Sequence, residues 1–113
     1  MTVDALLGEL RTDVPELVPV IDEHISTHDQ VLPHVLLGDV TRFVVEAHAD
    51  GTTGVEDRCL RVLDRALREG DEEVVNVVEA SFIENVGPWD KSVRRWIDSW
   101  PVTLREAALR QAN

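Results

Sequence analysis

His24 and His28 stand four residues apart. On a continuous helix that spacing sets both imidazoles on one face and offers two nitrogen ligands to a metal, with Asp29 and His34 nearby as further donors. Residues 26–30 read as a helix end, however, and Ile25 follows His24 where a His-Glu-x-x-His metalloprotease helix has its glutamate. Solvated or capping histidines are therefore expected, and no metal. Structural roles suffice for His34 and His48. A nucleophilic cysteine needs a base beside it. Cys59 instead falls on the apolar stripe of its helix and is expected as a buried core thiol. No Gly-x-Ser-x-Gly, phosphate-cradling glycine loop or paired-cysteine motif occurs, and carboxylates are so many that no pair singles itself out as acid and base. The chain is read as a non-enzyme, with no catalytic residue, no cofactor and no small-molecule ligand.

The elements that carry these residues follow from apolar spacings of three and four, divided by breakers into six or seven short helices. The first runs from about Val3 to Arg11. The second begins near Pro15 and presents Leu17, Val18, Ile21 and Ile25, with Pro19 either in an irregular first turn or at a kink. Pro33 opens the third, whose stripe Leu36, Val40, Phe43, Val44 and Ala47 is the longest. Thr53 followed by Glu56 fits a capping box at the start of the fourth, which stops at Gly70, the residue expected just past a helix end. Asp71 caps the fifth, whose many valines also have strand propensity. Asp90 caps the sixth, and Pro101 starts the last. Helix starts recur about 39 residues apart, the spacing of two-helix units in HEAT-like arrays. The expectation is one all-α domain over residues 1–113, its helices stacked as antiparallel hairpins, either HEAT-like or as a compact bundle.

A net charge of −11 repels phosphate backbones and anionic lipid, so neither direct nucleic-acid binding nor membrane binding is expected. Residues 1–57 hold 12 acids against two bases, Arg11 and Arg42, so the acidic field lies in the first half and a basic protein partner is its complement. A lone cysteine forms no intrachain disulfide. The acid-bearing N-terminus lacks a secretory pattern, and no apolar run nears the roughly 20 residues that cross a bilayer. A cytoplasmic location is expected.

The fifth helix is the most informative. Glu72, Asn76 and Glu79, spaced by four and three, form a polar ridge beside the valine face, widened by Asp71 and Glu73 and continued by Glu84 and Asn85. Such a ridge is either a solvated face or a row that pairs with Arg and Lys of a partner. Trp89, after Gly87-Pro88, is read as a lid on the core, with an exposed interface anchor as the alternative. Arg58, Arg61, Arg65 and Arg68 recur along the fourth helix and are expected to pair with the chain's own acids.

The segments Leu32-Pro-His-Val-Leu-Leu-Gly-Asp-Val and Glu72-Glu-Val-Val-Asn-Val-Val-Glu-Ala-Ser-Phe-Ile-Glu-Asn-Val-Gly resemble a family of short bacterial helical proteins. The second segment is similar to a helix of some immunity proteins of polymorphic and contact-dependent toxin systems. The resemblance implies a cytosolic antidote that binds a cognate toxin domain, often a nuclease with a basic surface. It makes Asn76, Glu79 and Glu84 binding candidates, and Asp39 after Gly38 another. A HEAT-like adaptor that organises other proteins is the alternative.

Overall fold

Most helix starts carry a residue that satisfies the first-turn N–H groups or a proline that lacks one. The computed structural model describes residues 1–112. Helix α1 spans Val3–Asp13, with the Thr2 hydroxyl accepting the Ala5 N–H at 3.2 Å. A 3-10 turn, Pro15–Leu17, runs into α2, Val18–His28, so Pro19 lies in a first turn, where no donor is missed. Helix α3 is Pro33–Ala49 and α4 is Thr53–Glu69. Helix α5 is continuous but composite: Glu72–Val78 is α-helical, Glu79–Ile83 is π-helical, and Glu84–Val86 is α-helical again. Asp71 and Asp90 cap α5 and α6 (Lys91–Ile97) as expected, and α7 is Val102–Ala112.

The fold is all-α, and the valine-rich segment is helical. Helix α4 lies at its centre, touching α1, α3, α5 and α7. It buries Cys59, Leu60, Val62, Leu63 and Ala66 among Leu6, Leu10, Leu36, Val74, Phe82 and Leu104. In an open array each unit touches only its sequence neighbours. Here the first and last helices both lie on α4, in a body of 37 × 32 × 21 Å, so the compact bundle is the arrangement adopted.

Two local expectations are corrected. Helix α2 runs through His28 and ends at Asp29, which takes the left-handed conformation (φ 58°) and donates its N–H to the Ile25 carbonyl. The expected break at 26–30 therefore starts three residues later, and His24 and His28 do share one helix face.

The Thr53–Glu56 capping box does not form. Thr52 precedes α4 without a side-chain cap, and Glu56 turns inward to Trp96 and His48.

Gly70 is extended (φ −74°, ψ 151°) and not left-handed. Lack of room, not φ, demands glycine there. A Cβ would lie 2.3 Å from the Ala66 carbonyl oxygen and 2.6 Å from Val74 Cγ1. Gly70→Ala is expected to cost about 2 kcal/mol, because the helix end must shift to relieve a backbone clash. A urea midpoint unchanged from the parent at equal m would contradict this.

Candidate functional site

The exposed surfaces rest on buried polar contacts that hold the helices in place. Glu56, 8% exposed, accepts the Trp96 indole N–H at 2.6 Å and faces His48 Nδ1 at 3.1 Å, while the His48 ring stacks on Trp96 at 4.3 Å. This joins the end of α3, the start of α4 and α6. Asp64, also buried, accepts the Leu104 N–H at 2.8 Å and the Arg68 Nε–H at 3.1 Å, so a side chain of α4 caps the first turn of α7.

The π segment is tied to α3 in the same way. The Ser81 carbonyl accepts from Thr41 Oγ1 at 3.0 Å and Asn85 Nδ2 at 2.7 Å, and Ser81 Oγ meets His34 Nδ1 at 2.6 Å. A carbonyl loosened from the regular ladder is thereby satisfied by side chains.

This π turn shapes the ridge of α5. Glu84 donates its N–H to the Glu79 carbonyl five residues back, which sets Glu84 one turn above Glu79. The row Glu72, Asn76, Glu79, Glu84 thus continues along one side. Glu72, Glu73, Asn76 and Glu84 are exposed, whereas Glu79 is half-buried and its carbonyl also accepts Gln111 Nε2 at 3.0 Å. Among the described residues none of these glutamates has an ion pair. Trp89 is 59% exposed, so it is not a lid on the core. Trp96 and Trp100 are buried in the core instead, and the Trp89 ring flanks Gly87. Asp39 stands apart from the ridge on α3, where it pairs with Arg42.

The arginines of α4 pair with the chain's own acids, as expected. Arg58 meets both carboxylate oxygens of Glu16, at 3.0 and 2.6 Å, and holds that carboxyl below the ordinary carboxylate range. Arg65 bonds Glu9 at 3.0 Å, Arg61 pairs with Asp57 at 2.9 Å, and Arg68 turns to Asp64. Cys59 is a core thiol, fully buried, and burial pushes it up to about 12.

Residues 7–111 match the model of the family described as "Domain of unknown function (DUF7674)". The chain belongs to this family. No curated protein and no solved structure matches it. The DUF7674 match takes in the ridge of α5, Trp89 and all of α2 and α3.

Between α2 and α3 the DUF7674 chain holds a cleft of about 370 Å³, lined in part by Val20, Glu23, His24, Asp39, Phe43 and Glu46. His24 is buried, and its Nε2 accepts the Leu32 N–H at 2.9 Å, satisfying the residue that precedes α3. That bond requires a neutral imidazole with its proton on Nδ1. Burial and the neighbouring His28 hold its pKa below the ordinary 6.5, against the pull of Asp39. The sequence reading singled out His24 and Asp39 but missed Glu23 and Glu46. The signal was present, since Asp39, Arg42 and Glu46 recur at three and four along α3. No membrane-crossing helix, long and apolar enough to span a bilayer, is found among the described residues.

Proposed function

We propose that this DUF7674 chain is an acidic immunity protein of the cytoplasm, which binds a cognate basic, nuclease-type toxin domain and covers its nucleic-acid surface. One observation carries the reading. The arginines of α4 are taken up by internal acids, while Glu72, Glu73 and Glu84 stand exposed, without ion pairs among the described residues, on a helix that leads to the exposed Trp89.

A one-signed carboxylate row steers a basic partner by long-range attraction, and a large exposed ring supplies the apolar anchor typical of an interface centre. The same charge repels nucleic acid itself, which supports a protein target with a basic face.

The test is a pull-down of the tagged chain with the C-terminal domain encoded by its upstream neighbour, at low and high salt. Tight capture that weakens as salt rises is expected. Absence of capture at low salt, or a neighbour without a toxin-like domain, would replace this reading with that of a helical adaptor.

A further inference from the structure

The cleft between α2 and α3 is a second acidic surface, and two of its features, the acids of its rim and a buried N–H at its back, are unused by the fold. At its rim, Glu23 on α2 and Glu46 on α3 are exposed, with no ion pair among the described residues. Its walls include the partly buried Val20 and Phe43. At its back the His24 side chain is fully buried, and Nδ1 has no hydrogen-bond partner. With Nε2 occupied as an acceptor, Nδ1 is a donor. The Asp39 carboxylate lies 3.9 Å from it, beyond hydrogen-bond distance. A buried N–H without an acceptor is costly, so this one points to a ligand oxygen.

The chain itself shows what the cleft mouth takes. The Arg42 guanidinium, 71% exposed, rests there on Asp39. A small anion would meet Arg42 and the His24 Nδ1–H, but also the three carboxylates of Glu23, Asp39 and Glu46, which outweigh them. A bare cation would meet the rim and leave the Nδ1–H unsatisfied. A basic peptide segment brings both a cation and, a few ångströms from it, a carbonyl oxygen.

We propose that this cleft docks an arginine-bearing segment of a basic protein partner. The guanidinium binds Glu23 and Glu46, its methylene stem lies on Val20 and Phe43, and a backbone carbonyl accepts from His24 Nδ1–H once Arg42 swings off Asp39. The arginine's owner rests on the basic-partner reading above; the cleft's chemistry does not.

The experiment titrates the isotope-labelled full chain with the blocked peptide acetyl-Ala-Arg-Leu-Arg-Ala-amide, followed by NMR. A peptide with citrulline in place of arginine is the uncharged control. Shifts concentrated at residues 20–28 and 39–46 and at the His24 imidazole are expected, and they are lost with citrulline. Glu23→Gln with Glu46→Gln weakens binding about fivefold, the scale of two exposed charge pairs, while Glu72→Gln with Glu73→Gln leaves it within about twofold. Arg42→Gln strengthens binding, and Arg95→Gln on α6 does so less.

Shifts spread over every acidic face, shifts confined to α5, or indifference to the Glu23 and Glu46 changes would overturn the proposal. If the peptide seats in the cleft but the toxin domain is not captured, the toxin reading falls and the cleft stands.

Discussion

Glu56→Ala is expected to lower the unfolding free energy by about 3 kcal/mol, the largest loss from any single acid of this chain. The carboxylate is 8% exposed and is the acceptor for the Trp96 indole N–H at 2.6 Å. It also faces His48 at 3.1 Å. Truncation leaves the indole donor buried without a partner, and opens a small void under a ring that is itself 8% exposed. By contrast, Arg58 and Glu16 have similarly short contacts, but both side chains are 41% exposed, and water screens such a pair so that it contributes little. Thermal unfolding should therefore fall by about 12 °C for Glu56→Ala and by only a few degrees for Glu16→Ala. A double-mutant cycle with Trp96→Phe checks the cause, because the coupling between the two positions should reach about 1–2 kcal/mol. Additive losses would show that the indole bond contributes little, and that packing alone sets the cost.

The same glutamate shows where local sequence reading stops. Thr53 and Glu56 have the spacing of a capping box, and nothing within α4 argues against it. What draws Glu56 inward is a tryptophan 40 residues away on α6. Helix starts were legible because proline and aspartate act on their own first turns, as at Pro33, Asp71 and Asp90. The ridge of α5 was legible for the same reason, since spacings of three and four place side chains on one face. Its continuation to Glu84 depends on a π turn, whose Ser81 carbonyl accepts from Thr41 of α3, a partner 40 residues away. Gly70 was correctly placed at a helix end, but for another cause. The crowding by Ala66 and Val74 that excludes a side chain there exists only once the chain turns between α4 and α5. Trp89 was misjudged because apolar content alone does not rank the three tryptophans, of which Trp96 and Trp100 are buried and Trp89 is exposed.

If the chain binds a basic toxin domain as proposed, neutralising the ridge and removing the ring together should weaken that binding about 1000-fold at low salt. The variant combines Glu72→Gln, Glu73→Gln and Glu84→Gln with Trp89→Ala. Glutamine keeps the size of each side chain and avoids placing a cation at the positive end of α5, where Asp71 caps the helix and must be left in place. The two halves of the variant should separate kinetically. The glutamine changes act on long-range attraction, so they lower the association rate and flatten its dependence on salt. The alanine change removes an anchor that matters only after contact, so it raises the dissociation rate. Circular dichroism of each variant should match the parent, since all four side chains are exposed. If binding survives this combination but is lost with Glu23→Gln and Glu46→Gln, the toxin docks on the α2–α3 cleft, and the acids of α5 serve to keep a helix terminus solvated. If the charge changes slow association while Trp89→Ala leaves dissociation unaltered, the row steers the partner and the ring lies outside the interface.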